Sequence, residues 1–365
     1  MPDLELVGNH SDTDLTEPLQ SAVCSAIAER QSLEIIGSGS KRFLGREPSG
    51  VRLGLAGHRG IIRYEPSELV LTARSGTPVD EIESELARHG QMMAFEPPRF
   101  GKGATLGGTM ACNLSGPRRA FAGATRDFVL GTRLINGKGE VARFGGEVMK
   151  NVAGYDVSRL MAGAMGTLGL LLDVSLKVLP FPAIERSLIF ELDEQGALLR
   201  MTRYAGRPLP ISAAAWCAGV MYLRLSGSES GVAAACSDLG GDELPCDAAS
   251  AFWDALREQQ LTAFSGDGVL WRLSVPPATG PLSLDGEAII DWGGALRWLR
   301  TDVDPVRIRQ VADEAGGHAV AFRDGDRSGS IFQPMDKALT QLHRRVKDAL
   351  DPHGLFNPGR MYAEL

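Results

Sequence analysis

Three short glycine-rich stretches carry residues suited to binding. Gly37-Ser38-Gly39-Ser40 follows a run of branched apolar residues. Thr105 to Gly116 mixes small residues with hydroxyls and Asn113, and Gly166-Thr167-Leu168-Gly169 opens a second apolar run. A Gly-Ser-Gly-Ser turn can present successive backbone N–H groups as an anion nest, with its hydroxyls as further donors for a pyrophosphate. The small residues from Thr105 onward let backbone approach a flat, phosphate-bearing ligand, at an entropy cost that a bound ligand offsets. One large ligand touching all three stretches is the economical reading. Arg42 stands where a G-x-G-x-x-G fingerprint needs its third glycine, and G-x-x-x-x-G-K-[ST] does not occur, so nicotinamide and ATP-type sites are not expected.

Other reactive residue types are sparse. The 6 histidines (His10, His58, His89, His318, His343 and His353) include no pair at metal-ligand spacing, so no protein metal site is expected. His318 is a weak candidate for a general base, although a lone histidine is more often structural. Arg297, within Asp291-Trp292-Gly293-Gly294-Ala295-Leu296-Arg297-Trp298, is a weak candidate for a carboxylate clamp. Gly123 to Asp127 places Arg126 beside Asp127, and the plain reading is a surface ion pair worth little. The 5 cysteines (Cys24, Cys112, Cys217, Cys236 and Cys246) are scattered and form no C-x-x-C, which supports reduced thiols and neither a disulfide framework nor an iron–sulfur site.

These residues need elements to position them, and 365 residues suffice for two or three cores. Residues 15 to 31 have helical apolar spacing, residues 32 to 36 read as a buried strand ending at Gly37, and Ile61 to Tyr64 and Leu69 to Ala73 read as further strands. Thr77-Pro78 reads as an N-cap and first-turn proline for a helix from Val79 to His89, closed by Gly90. Asn136-Gly137-Lys138-Gly139 joins Phe128–Ile135 to Val141–Phe144 as a hairpin. Val157 to Ala164 is helix-like. After Pro180-Phe181-Pro182 the glycine clusters thin and the 5 tryptophans begin, so a boundary falls near Pro180. A final amphipathic helix carries Leu339, Leu342, Val346 and Leu350, and the turn-rich tail after it reads as docked. A formal charge of -7 without like-charge blocks argues against nucleic acid. The acidic N-terminus lacks a signal-peptide pattern, and Leu168 to Leu179 is short of the ~20 residues of a bilayer span. A cytoplasmic location is expected, with the inner face of the membrane reached only through partner subunits.

The order of these motifs, with Arg126-Asp127-Phe128-Val129-Leu130-Gly131, Asn151-Val152-Ala153-Gly154-Tyr155-Asp156 and the terminal Asn357-Pro358-Gly359-Arg360-Met361, resembles the vanillyl-alcohol-oxidase (PCMH) type of FAD-binding flavoprotein. Phe144 to Asp156, Asp291 to Trp298 and Asn357 to Leu365 look, more narrowly, like the FAD-binding subunits of bacterial glycolate oxidase, also called glycolate dehydrogenase. The resemblance implies an α+β fold: a two-subdomain PCMH-type FAD-binding domain over residues 1–180, an α+β cap over 181–331, and a segment over 332–365 that returns to the cofactor.

By the same resemblance, Gly37, Ser38, Gly39, Ser40 and Lys41 hold the pyrophosphate, while Thr105, Gly107, Gly108, Thr109, Asn113, Ser115 and Gly116 follow pyrophosphate and flavin ring. Gly123, Arg126, Asp127, Gly166, Leu168, Gly169 and Asn357 join the cofactor site, and Arg360 reaches it from the tail as a third weak catalytic candidate. The first loop offers only Lys41 and Arg42 where covalent flavoproteins of this type place a histidine or cysteine, so noncovalent FAD is expected. The family's substrate-oxidising members carry clustered cap histidines that this chain lacks. The implied role is an FAD redox subunit of a complex that oxidises glycolate to glyoxylate, with a second FAD-binding subunit and an iron–sulfur subunit leading to quinone. An architectural subunit with a non-essential flavin, or a stand-alone oxidase of another small 2-hydroxy acid, are the rival expectations.

Overall fold

The computed structural model describes residues 4–5, 12–146 and 156–365; Glu147 to Tyr155 and His10 lie outside the described residues. The chain opens with β1 (Leu4–Glu5), α1 (Thr16–Glu29), β2 (Leu33–Ile36) and β3 (Val51–Gly54). The three strands form a parallel sheet in the order β1-β3-β2. Leu19, Val23 and Ala26 on one stripe of α1 bury against Leu33 and Leu53, the pattern expected of an amphipathic helix on a sheet.

Next come β4 (Ile61–Glu65), β5 (Val70–Arg74), α2 (Val79–Arg88), β6 (Gln91–Met92), α3 (Leu106–Cys112), α4 (Arg119–Ala122), β7 (Val129–Ile135), β8 (Val141–Gly145), α5 (Val157–Leu160) and β9 (Leu170–Lys177). A five-stranded antiparallel sheet runs β4-β5-β9-β7-β8. Strand β9 explains the apolar run that begins at Leu168. Leu170 and Leu172 face the α1 cluster, whereas Leu171, Val174 and Leu176 face the core under α2 and α3. A strand buried on both faces shows no alternation.

The strand β10 (Leu179–Pro180) pairs with β6. Beyond it lie β11 (Ile184–Glu191), α6 (Glu194–Ala205), β12 (Ile211–Cys217), β13 (Val220–Gly227), α7 (Glu229–Leu239), β14 (Asp242–Leu244), α8 (Cys246–Arg257), β15 (Val269–Ser274), β16 (Glu287–Asp291), β17 (Leu296–Thr301), α9 (Pro305–Glu314) and β18 (His318–Arg323). They build an antiparallel eight-stranded sheet ordered β14-β11-β13-β12-β16-β17-β15-β18. Trp253, Trp271, Trp292 and Trp298 fill the core on one side of it. The last helix, α10 (Lys337–Leu350), returns to the first half, where Val346 and Leu350 pack beside the α2 core and Leu355 and Phe356 join the α1 cluster.

Several local expectations are revised. Thr77 does not cap α2: its Oγ1 accepts from Gly60 N at 2.9 Å and faces Gly60 O at 3.2 Å, so Pro78 takes the cap position without a side-chain bond. Thr105 to Gly116, to which the sequence assigned no regular element, begins with the two-turn helix α3, where Thr105 Oγ1 accepts from Gly108 N at 3.3 Å. The helix expected from Val157 to Ala164 stops at Leu160, because Gly163 N and Met165 N donate instead to Met110 O and Ala111 O. On α10, Leu339 and Leu342 are exposed while Lys347 is buried, since the tail recruits the lysine into the interior.

Candidate functional site

The turn after β2, the start of α3 and the C-terminal tail meet in one crevice. Gly37 to Arg42, Thr105, Gly108, Ala111, Cys112, Asn357 and Arg360 line its outer part, and Ser75, Gly107, Gly166 and Gly169 line its continuation. Contact between two of these stretches is close enough to require glycine: a Cβ on Gly37 would stand 2.2 Å from Thr105 Oγ1, and one on Gly107 would stand 2.7 Å from Ser75 Cβ. These glycines therefore serve backbone approach as much as chain flexibility.

In the Gly37 turn, the N–H groups of Ser38, Gly39 and Lys41 donate to no described residue, and Ser40 N has only Ser38 Oγ at 3.5 Å. Unpaired N–H groups around a left-handed Gly39 (φ 79°) make a nest for an anion. Lys41 is 6% exposed, and its ammonium has one long hydrogen bond, to Arg99 O at 3.4 Å. Burial holds its pKa below the usual lysine value. A buried cation with so little compensation is costly unless an anion joins it. The Ser75 hydroxyl, also on the crevice, is buried without a partner. Free donors, a buried ammonium and a floor that admits no Cβ fit the phosphates and flat ring system of a dinucleotide.

The start of α3 contributes differently from a phosphate-binding helix end. Leu106 N donates to Thr77 O, Gly107 N to Ser75 O and Gly108 N to Thr105 Oγ1, so its first amides are already bonded. From the tail, Asn357 accepts from Ile35 N and donates to Met165 O, each at 2.7 Å. Its amide is so close to Gly166 that a Cβ there would lie 2.6 Å from Nδ2. Arg360 donates to Arg46 O at 2.8 Å and Arg42 O at 3.0 Å, so it holds the nest loop through its carbonyls. Burial and the neighbouring Arg327 push its pKa down to about 10.

Other expected site residues lie off the crevice. Asn113 Oδ1 accepts from Arg126 N at 3.1 Å, while Arg126 and Asp127 form an exposed pair at 3.7 Å beyond Gly123. Asp127 Oδ2 closes that turn by accepting from Ala124 N. Thr109 and Leu168 are buried in the α2 core. Among the weak catalytic candidates, Arg297 is buried with one bond, to Thr279 O at 2.8 Å, and lines neither part of the crevice. Burial holds its pKa near 10. His318 stands at the surface at the start of β18, where partial loss of solvent around the ring and the nearby Arg272 lower its pKa. Among the described residues, no group of three or more His, Cys, Asp or Glu is placed to hold a metal. No helix of the described residues is long and apolar enough to cross a membrane.

Past α3 the same stretch leads into a second, small cavity that sequence reasoning missed. Ser115, Gly116 and Pro117 form one wall, and Arg272, Asp291, Trp292 and Trp298 of the eight-stranded sheet form another. Trp292 Nε1 donates to Gly116 O at 2.9 Å, so the sheet is tied to the chain that follows α3. The turn bearing Trp292 is strained: Trp292, Gly293 and Gly294 have φ values of 54°, 62° and 105°. Gly294 could not take a side chain, as a Cβ would meet Pro277 O at 2.4 Å. Two guanidinium groups stack on the indole, Arg119 at 4.1 Å and Arg272 at 5.0 Å. Asp291 is buried, and that burial pushes its carboxyl up to about 7. The signal available in the sequence was Asp291-Trp292-Gly293-Gly294, where two glycines after a large aromatic mark left-handed backbone.

The FAD binding domain family matches residues 14–145. The chain is 49% identical over 354 residues to the glycolate oxidase subunit GlcE of Escherichia coli (strain K12), covering 97% of this chain and 99% of that protein. It is 31% identical over 129 residues to the glycolate oxidase subunit GlcD of Bacillus subtilis (strain 168), covering 35% of this chain and 27% of that protein. Among solved structures, p-cresol methylhydroxylase with substrate bound superposes with a TM-score of 0.66 at 16% identity, covering 96% of this chain and 87% of that one. The last likeness shows the fold: this is a PCMH-type α+β architecture.

Proposed function

The chain belongs to the glycolate oxidase subunit GlcE family of FAD-linked oxidoreductases, and from that premise we propose that it is the FAD-binding redox subunit of a complex oxidising glycolate to glyoxylate. The observation that carries the proposal is the crevice, where unpaired Ser38, Gly39 and Lys41 amides and the buried Lys41 ammonium face the tail residue Asn357. The crevice residues would hold FAD, which when bound would supply a two-electron acceptor for the oxidation of a 2-hydroxy acid by the complex. The nest and Lys41 bind its phosphates, and Gly107, Gly108 and Gly166 allow close backbone approach. Asn357 and Arg360 fix the loops that form the walls.

Attachment is noncovalent in this proposal. Cys112 lines the crevice, but its burial raises the thiol pKa and disfavours the nucleophilic thiolate. A second FAD-binding subunit resembling GlcD and an iron–sulfur subunit complete the complex and pass electrons to quinone, with membrane attachment supplied by these partners. The structural readings of Arg297 and Arg360, each already bonded to backbone carbonyls, favour this division of labour over a stand-alone oxidase.

The test is the visible spectrum of the purified chain, recorded anaerobically before and after glycolate, then with the partner subunits added. Bound flavin that denaturation releases into solution supports noncovalent FAD. Purification without flavin, and no uptake on reconstitution, overturns the redox assignment in favour of an architectural subunit. Bleaching by glycolate alone places oxidation in this chain; bleaching only with partners present assigns that step to them.

A further inference from the structure

We propose that Glu258, at the end of α8, is a cofactor-positioning residue: it holds the Arg99–Phe100 peptide in the orientation that carries the Lys41 ammonium at the crevice. The inference rests on the cofactor reading, in which Lys41 meets the flavin phosphates. It adds that the second half of the chain, and not only the matched domain of residues 14–145, sets flavin affinity.

The contact is made on backbone. The Glu258 carboxylate accepts from Phe100 N at 2.8 Å and from Arg99 N at 3.1 and 3.2 Å, and neither amide has a backbone partner among the described residues. The turn is strained, with Phe100 left-handed at φ 51° and Gly101 at 117°, and such backbone persists where its surroundings impose it. Lys41 Nζ donates to Arg99 O at 3.4 Å and lies 5.9 Å from the Phe100 ring centre. Arg99 C=O and Phe100 N–H are the two ends of one planar peptide. A single peptide therefore stands between carboxylate and ammonium, with its N–H toward the negative group and its C=O toward the positive one, so each bond polarises the other.

Placement and charge point the same way. A carboxylate at the C-terminal end of a helix opposes the helix dipole, yet Glu258 occupies that end of α8 with its side chain 13% exposed. The stability of α8 does not account for it. Burial lowers the Lys41 pKa, and Cys112 and Glu258 oppose that fall. Burial also raises the Cys112 thiol, which leaves the Glu258 carboxylate as the group that supports the ammonium at neutral pH. The other charged groups around it are engaged elsewhere. Glu34 and Arg42 pair with each other, Arg360 bonds backbone carbonyls, the Arg99 guanidinium pairs with Asp80 and Glu83, and Arg323 stacks on the Phe100 ring.

The test titrates the full chain, freed of flavin, with FAD from about pH 7 to about pH 10, read by flavin fluorescence, with thermal melting on the same samples. The isosteric Glu258→Gln should weaken FAD binding about tenfold, the worth of one charge-assisted bond. Affinity should also begin to fall at lower pH than in the unaltered chain, because a buried Lys41 without its anion releases its proton sooner. Glu258→Asp keeps the charge but draws it back from the amides, so it should weaken binding and leave the pH profile near that of the unaltered chain. With Lys41→Met already in place, Glu258→Gln should change FAD affinity less than about twofold, since no ammonium remains to position. A glutamate that only joins the two halves would lower the melting temperature and weaken FAD binding equally in both backgrounds, without moving the pH profile. Equal FAD affinity in Glu258→Gln and the unaltered chain, or equal losses in both backgrounds, overturns the inference and leaves the cofactor reading standing. An unaltered chain that takes up no FAD overturns both.

Discussion

Replacing Asn357 by alanine tests whether the tail builds the cofactor crevice. Asn357 is 4% exposed and bridges the Ile35 amide to the Met165 carbonyl with two 2.7 Å bonds. Truncation leaves both backbone groups buried and unpaired, at about 1–3 kcal/mol each, so the loss is roughly 2–6 kcal/mol. That is a large share of the ~5–15 kcal/mol by which domains are stable. Because β2 leads into the Gly37 nest and Met165 precedes Gly166, flavin retention should fall together with the melting temperature. Asn357→Asp separates the two effects. It keeps the acceptor for Ile35 N, turns the other bond into oxygen against the Met165 carbonyl, and adds negative charge beside an anion nest, so flavin should be lost more than stability. The assay is flavin absorbance relative to protein after gel filtration, alongside thermal melting. Asn357→Ala with unaltered flavin content and a melting temperature within about 1 °C would refute the reasoning.

Two further outcomes follow from buried charges. Lys347 Nζ donates to Asp351 Oδ2 at 2.6 Å and to the carbonyls of Thr167 and Phe356; Lys347→Met should cost about 3–5 kcal/mol by stranding Asp351, read as a lowered denaturant midpoint, with part of the loss recovered in Lys347→Met/Asp351→Asn. Asp291, its carboxyl raised from 3.8 to about 7 by burial with Glu96 adding and Arg224 and Arg272 opposing, holds its proton in the folded state after the unfolded chain has released it. Stability from this group is thus greatest below pH 4, falls as pH rises from about 4 to 7, and is constant above, a loss of roughly 4 kcal/mol. Asp291→Asn should remove that part of the pH slope in chemical denaturation, with Arg119, His318 and Arg257, the other charged groups around the cavity, left in place.

What the sequence made legible was largely local. Apolar spacing located α1, β5, α2 and β7 within a few residues, the Asn136–Gly139 turn marked β8, and β9 stood out as an unbroken apolar run because both its faces are buried. The short strand β3 carried no such signal: Val51-Arg52-Leu53-Gly54 owes its pairing to β1 and β2 on either side. Helix α3 was hidden in Thr105 to Gly116 because three glycines outweigh helix propensity, whereas in the fold the Thr105 cap and the bonds of Leu106 and Gly107 to Thr77 and Ser75 decide the matter. For the site, small residues pointed to Gly37, Thr105 and Gly166, which do meet at one crevice. Arg297, five residues past the Trp292 turn, drew attention through its neighbours, yet strand alternation turns it to the opposite face from Trp298.

The Trp292 turn gives a reason for this placement. Left-handed backbone at a tryptophan costs about 1–3 kcal/mol, and relaxing it would need only a glycine there. The indole is what offsets the strain: it is buried at 4% exposure, bonds Gly116 O, and carries both arginines. That single side chain couples the sheet to the segment that continues from α3, whose other end forms the crevice floor. The crevice and the small cavity under Trp292, although lined by different elements, are joined by twelve residues of chain between Thr105 and Gly116.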